Sequence, residues 1–418
     1  MSAHARVAWL LARRQIQKSN YGTTVLVIFI MTLTFLNLVV VSGILIGLIE
    51  GSVQANREFV TGDLIISTPP GRETIANTQE ILSTLEALPT VTSYSARYTA
   101  GAQIEANYRS RRQIDELSDR IGTTIVGLNP THEDVVTRLS TEVVDGRYFQ
   151  EGETGSVLLG VNLLAEYLEN FGSSDFRGLT DASVGDTVLI ESGGQRREFT
   201  VAGLVDSKAG EVSLRAYLTE RDFIELTNRT SRTANEIAVK LGSMEQADST
   251  KEALLLSGIS ERLAIIETWE EAQGQFIDDI KGTFSILGTV IGGIALVVAS
   301  ITIFIIIFVN AINRKKQIGI LKGIGISGRS IIMAYMMQAF FYAVSGSLLG
   351  LGLVYFVLVP YFQENPINFP FSDGILVAPI ESTMLRLGIL LVFTLLAGLV
   401  PAYLIIRRNT LDAILGRS

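Results

Sequence analysis

The chain has 418 residues, a formal net charge of −8 and 48% hydrophobic residues, with a mean hydropathy of +0.36. It has no cysteine, which excludes disulfides, thiolate catalysis and thiolate metal sites. With only two histidines, His4 and His132, it cannot build a histidine zinc cluster.

The hydrophobicity is unevenly placed. Residues 1–20 carry Arg6, Arg13, Arg14 and Lys18 without an acid. Trp9, Val7, Leu10 and Leu11 lie among these bases, the pattern of an amphipathic helix lying at a membrane surface. Tyr21–Ile49 follows without a charge. A helix needs roughly 20 apolar residues to cross a hydrocarbon core of ~30 Å. Three later stretches meet the same condition: Gly282–Asn313, Ser330–Phe362 and Leu387–Ile406. Backbone inside lipid must satisfy its own hydrogen bonds, so all four read as transmembrane helices. The expected spans are 21–49, 282–313, 331–362 and 387–406. The first is too long for the apolar core of a cleaved signal peptide.

Residues 50–281 alternate short strand-like and helical runs. Asp63–Ser67, Thr123–Gly127, Ser156–Gly160, Asp186–Glu191, Arg197–Val205 and Glu236–Leu241 read as strands, with a hairpin at Gly193-Gly194. Thr78–Leu88, Val161–Glu169, Thr219–Leu226 and Trp269–Ile280 read as helical, the last running into the second span. Phe171–Ala182, rich in Gly, Ser and Asp, reads as an exposed loop. The expected fold is an α-helical membrane protein with four transmembrane helices and an α+β extracytoplasmic domain, with helical stalk ends, between helices 1 and 2.

Charge sets the orientation. Residues 1–20, the link 314–330 and the tail 407–418 hold 12 Lys or Arg against one acid. Residues 50–281 hold 38 acids against 21 bases, and the loop 363–386 holds three acids and one base. The basic segments face the cytoplasm, so both termini do, and the average charge gives no indication of nucleic acid.

Catalytic motifs do not emerge. Gly-Lys never occurs, so there is no P-loop. His132 reads as a residue near a helix start. Acidic pairs such as Asp115-Glu116, Glu270-Glu271 and Asp278-Asp279 read as solvated faces. The spans carry no ionisable residue in their cores, which argues against ion-coupled transport. Gly43 and Gly47, Gly288 and Gly292, and Gly346 and Gly350 recur at four-residue spacing. That spacing allows close helix packing, within the chain or against a second subunit.

The link NRKKQIGILKGIGISGRSII, Asn313–Ile332, is short and basic, with apolar residues at Ile318, Ile320, Leu321 and Ile324. An amphipathic surface of this kind suits docking into a groove of a cytoplasmic partner. Here the chain resembles the permeases of the MacB/LolC/FtsX superfamily of ABC transporters, whose motif is roughly R-x-x-E-I-G-x-L-[KR]-A-[LI]-G. Arg314, Ile318, Gly319, Leu321, Lys322 and Gly325 match it; Gln317 replaces the usual Glu and Gly323 the usual Ala. Pro401-Ala402, Arg407-Arg408 and Asp412-Ala413-Ile414-Leu415 resemble the family's C-terminal pattern, with Thr410 where Pro is common. Asp145–Phe149, Val157–Gly160, Val184–Asp186 and Phe199–Gly203 follow in the family's order.

The resemblance implies a permease half in the inner membrane. It would work as a dimer, with a second copy or a related permease, and with a P-loop ATPase subunit. ATP and Mg would be bound by that ATPase and no cofactor by this chain. Arg314, Lys315, Gln317, Ile318, Gly319, Leu321, Lys322 and Gly325 would couple to the ATPase. Motion would pass along stalk helices to the outer domain, which would handle a substrate, a lipoprotein or a periplasmic adaptor. An FtsX-like regulator of a cell-wall hydrolase is the alternative; a membrane-anchored receptor or enzyme lacks a signalling region or a site.

Overall fold

The computed structural model describes residues 3–18, 21–109, 118–168, 178–260, 262–369, 372–374 and 376–406. The C-terminal tail motif, Asp115-Glu116 and most of the expected loop at 171–182 lie outside them. The chain divides into two units. One comprises Met1–Leu48, Asp279–Ile367 and Gly374–Ser418; the other comprises Ile49–Asp278 and Asn368–Asp373.

The first unit is helical. Four helices among the described residues are long and apolar enough to cross a membrane: Tyr21–Thr61, Lys281–Asn313, Gly328–Glu364 and Ile380–Leu404. The first span's α-helix runs 36 residues, Tyr21–Asn56, about 54 Å at 1.5 Å per residue. The second span belongs to a 40-residue helix, Gly274–Asn313, about 60 Å long. Both exceed a ~30 Å hydrocarbon core. Their facing side chains bury Met31, Phe35 and Val39, Ala299, Ile303 and Ile307, and Tyr335, Ala339 and Tyr342 in one cluster. The opposite face of the second span, with Ile286, Val290, Ile294, Val297, Ile301 and Ile305, stays exposed, as lipid contact requires.

The small-residue positions mark close approach within this chain. A Cβ on Gly346 would lie 2.4 Å from Met31 Cβ, and one on Gly350 2.5 Å from Phe35 Cδ1. Thr32 Oγ1 donates to Gly346 O at 3.1 Å across the same contact. Gly292 and Gly288 face Leu38 and Leu45, and Gly43 abuts Leu376 and Val377 O. Gly47 lies one turn further along the first helix. The N-terminal helix Ala3–Gln17 sets Ala8 and Ala12 against Ala334. It leaves Trp9 and Leu10 exposed, with Arg13 over the Trp9 ring at 5.5 Å.

The second unit is built on ten strands: β1 Leu64–Ser67, β2 Val91–Glu105, β3 Arg120–Leu128, β4 Val143–Gly146, β5 Ser156–Gly160, β6 Thr187–Ser192, β7 Gln195–Val205, β8 Arg215–Thr219, β9 Glu236–Leu241 and β10 Ile265–Thr268. The first half of β2 completes an antiparallel sheet in the order β10-β1-β9-β2. Helices Thr78–Ala87 and Ala247–Leu256 bury Ile81, Leu85 and Leu254 in its core. The second half of β2 pairs with β3 on one side and β6 on the other. Pairings β3-β8, β8-β5, β5-β7 and β7-β6 then close a six-stranded ring, with β4 flanking β7. Closure removes the free edges that an open sheet would expose.

Side chains alternate about this ring with the period of two that a strand imposes. Ile125, Val157, Leu159, Phe199, Val201, Ala216 and Leu218 belong to one core cluster. Val126, Leu128, Leu158, Ala202 and Tyr217 point the other way, into a second cluster with Val60, Leu139, Phe149 and Val212. Burial on both faces explains why Ser156–Gly160 is apolar almost throughout. The β6-β7 hairpin turns at Gly193 and Gly194, with φ of 57° and 81°, the pair of positive values a two-residue hairpin of this hand requires. The expected helix near Val161–Glu169 is a 3₁₀ turn, Val161–Leu163, and one helical turn, Ala165–Leu168. Leu164 interrupts it to bridge Leu179. The start of the expected Trp269–Ile280 helix is likewise a 3₁₀ turn, Glu271–Gln273.

Candidate functional site

The basic link folds into a nine-residue helix, Lys315–Gly323. Arg314 breaks the second-span helix, and its carbonyl accepts from Ile318 N at 2.9 Å, starting the new one. The helix stops through its glycines. Gly325 adopts φ +94°, a left-handed conformation that a Cβ disfavours. Gly325 N then donates to Lys322 O at 3.1 Å and Ile326 N to Leu321 O at 3.0 Å. That pair of bonds is a Schellman motif, with Leu321 and Ile326 as its accompanying apolar contact. Ser327 Oγ caps the third-span helix by accepting from Ser330 N at 3.4 Å. A motif glycine thus sets the reversal between link and span.

The link helix has two faces. Ile318 is 5% exposed and joins the buried cluster of the spans, with Leu321 packed against it. Gly319 is buried too, and Arg314 and Lys322 are half-buried. The Lys315 side chain lies outside the described residues. Lys316, Gln317, Ile320 and Ile324 are exposed, Ile320 at 49% and Ile324 at 71%. These four share one helical face. The expected coupling set therefore divides: Ile318 and Leu321 hold the helix to the spans, and Gly319, between them in sequence, is buried. The outward surface adds Lys316, Ile320 and Ile324, which the motif-based set omits.

A second constellation lies where the first long helix enters the sheets. After Asn56 the chain makes a π-helical turn, Arg57–Thr61, then β1. Asp63, 1% exposed, accepts from Arg57 Nη2 at 2.6 Å, from Arg57 Nε at 2.9 Å and from Leu241 N at 2.9 Å. Arg57 also covers the Trp269 ring at 5.5 Å, and Trp269 N donates to Asp63 O at 3.2 Å. Asp63 therefore joins the entry of the outer domain to its exit.

Deeper in the same unit lies a buried ionic network. Arg97, 3% exposed on β2, donates from Nη2 to Glu133 Oε1 at 2.7 Å and from Nε to Glu133 Oε2 at 3.0 Å. Its Nη1 lies 3.6 Å from Glu236. Arg215 bridges Glu236 at 3.1 Å and also pairs with Glu211. Burial alone would raise Glu133 and Glu236. The guanidinium of Arg97 outweighs it for Glu133, and those of Arg215 and Arg97 for Glu236, holding both carboxyls below the usual range. Glu133 comes from helix Pro130–Thr137, Glu236 from β9 and Arg215 from β8, so the network ties both strand systems together at the strand they share. Sequence reading missed these residues, because Glu133 sits between His132 and Asp134 and Arg97 in a stretch rich in Ser, Ala and Tyr, where a charge does not stand out.

Two family models match. The MacB-like periplasmic core domain covers residues 27–255 and the FtsX-like permease C-terminal model covers residues 289–410. Neither model is a nucleotide-binding domain. The macrolide export ATP-binding/permease protein MacB of Bdellovibrio bacteriovorus is 24% identical over 58% of this chain and 37% of its own length. The protein of the same name from Neisseria meningitidis serogroup A is 30% identical over 34% of this chain and 21% of its own. The matches thus span little more than a third of the length of the first relative and about a fifth of the second. The periplasmic region of MacB from Actinobacillus actinomycetemcomitans aligns at TM-score 0.35 and 14% identity, over 54% of this chain and 97% of that one. With a family model over more than half its length, the chain belongs to the MacB/FtsX superfamily of ABC transporter permeases.

Proposed function

We propose that the protein is the membrane subunit through which a separate P-loop ATPase, holding ATP and Mg, drives movement of the extracytoplasmic domain. The observation that carries this reading is the outward face of the link helix. Lys316, Gln317, Ile320 and Ile324 expose apolar surface beside positive charge on a helix anchored from behind by Ile318. Such a face fits a groove in a cytoplasmic partner. Movement there would pass along the two long helices to Asp63, Arg57 and Trp269, and on to the Arg97 network.

In this reading the protein sits in the cytoplasmic membrane with both termini inside, a placement that its charge distribution supports. It pairs with a second copy or a related permease, and lipid covers the exposed face of the second span. Cargo is handled at the outer domain rather than passed through one chain, whose spans offer no charged path. The relatives' name specifies macrolide export; a lipoprotein or an adaptor remains an equal candidate for the outer domain.

The absence of cysteine gives a direct test. Single variants Ile324→Cys and Ile318→Cys, carrying a thiol-directed photo-crosslinker, are compared in native membranes. Ile324→Cys should capture a P-loop ATPase and Ile318→Cys should not. Failure of Ile324→Cys to capture an ATPase would remove the docking assignment.

A further inference from the structure

The outer domain contains an open cleft of about 820 Å³, within the range of preformed ligand sites. It lies at one mouth of the strand ring. The parallel strands β3 and β8 end there, at Leu128 and Thr219, and the loop before β5 forms a further wall. Carboxyl ends of parallel strands are where loops and helix starts leave room for ligands.

The floor is apolar: Leu128, Pro130, Phe149 and Ile224, with the Tyr148 ring against Phe149 at 5.6 Å. Tyr148 is pinned by donating its hydroxyl to Pro130 O at 3.0 Å. The walls are mainly acidic, with Arg221 and Arg232 as the lining cations. Asp134 comes from helix Pro130–Thr137, Glu151 from the loop and Glu220 from helix Glu220–Thr227. Among the described residues none of these three carboxylates forms an ion pair. Asp134 accepts only from a backbone amide, Ser140 N, at 2.8 Å, and Glu220 meets the Tyr98 hydroxyl. Their neighbours Glu153 and Glu225 are already neutralised by Arg147 and by Arg197 and Arg221. The helix starts offer little to an anion, because Asn129 and Thr219 already accept from their first-turn amides.

We infer that this cleft binds a basic peptide segment: a short extended stretch that alternates lysine or arginine with bulky apolar residues. Among the described residues, three carboxylates without ion pairs, on three separate elements, outnumber the one lining guanidinium without an ion pair, Arg232, and match several cations spaced along a chain. A single ammonium would engage one of them and leave two. The apolar floor takes the intervening side chains. The excess of acid across residues 50–281 attracts such a segment from a distance. The inference concerns the outer domain alone and needs neither the ATPase nor its docking face, so either can fail without the other.

The test uses the full-length protein in phosphatidylcholine nanodiscs without ATPase. A fluorescent peptide of three Lys-Leu repeats is titrated by anisotropy, beside its Glu-Leu counterpart and leucinamide as a competitor. The Lys-Leu peptide should bind, and the Glu-Leu peptide should not. The combined Asp134→Asn, Glu151→Gln, Glu220→Gln variant should weaken binding at least about tenfold. Glu151→Lys, on an exposed loop where folding is not at issue, should alone weaken it several-fold. Equal binding by wild type and the Glu151→Lys protein, or absence of binding, would overturn the inference. So would competition by leucinamide at the concentrations where the unlabelled peptide competes, since a single amine would then suffice.

Discussion

Arg97 is the residue on which the outer domain's two strand systems converge, and its environment sets what its loss should do. Replacing it with methionine keeps an unbranched apolar stem but leaves Glu133 and Glu236 buried without the guanidinium. Removing one partner of a buried ion pair is destabilising by about 3–5 kcal/mol. We expect Arg97→Met to lower stability by that amount in denaturant titrations of the outer domain's unfolding transition. A change below about 1 kcal/mol would mean that Arg215 alone compensates the carboxylates. Glu153 gives a pH test. Hydrogen bonds from Arg147, then from Ser156 and Gln150 N, outweigh desolvation and lower its carboxyl to about 2. A depressed carboxylate stabilises fully above its unfolded value, about 4.3, and loses that contribution as pH falls toward 2. The stability difference between wild type and Glu153→Gln should therefore be constant at neutral pH and shrink between about pH 4 and 2.

At the scale of elements, the spans are joined by close backbone approach. A leucine at Gly346 would place its Cβ within 2.4 Å of Met31 Cβ and near the carbonyl of Ile28. Overpacking of this kind costs about 1–3 kcal/mol, so Gly346→Leu should lower the melting temperature of the detergent-solubilised protein. The same substitution at Gly293, which has open space around its Cα, should leave it nearly unchanged. The elements differ in how legible they are in sequence. Spans are written in long uncharged runs, and β5 and β9 in apolar and β-branched residues, so both strands emerge with their observed ends. β2 does not, because Val91–Glu105 is rich in Ser, Ala and Gly; neighbours on both sides specify it. Ring closure is a property of six pairings between distant segments, and no local pattern carries it. In the link, the sequence shows which residues are apolar but not which are buried. Ile318 and Ile320 look alike until the helix is set against the spans.

For the whole molecule, the proposed function requires the link helix to receive force and the outer domain to deliver it. Gly325 is required because the link must reverse into the third span through a left-handed residue. Gly325→Val should impair coupling more than it impairs folding, since it strains a turn outside the buried cluster. The outward and inward faces of the link helix make opposite predictions. Ile320→Asp with Ile324→Asp alters only exposed surface, whereas Ile318→Asp puts a charge into the packed cluster of the spans. The decisive measurement is ATP turnover by the cognate ATPase reconstituted with the permease in nanodiscs. The account predicts that Ile320→Asp/Ile324→Asp abolishes permease-dependent stimulation while the protein keeps its wild-type melting temperature. Unchanged stimulation in that folded double variant would contradict it.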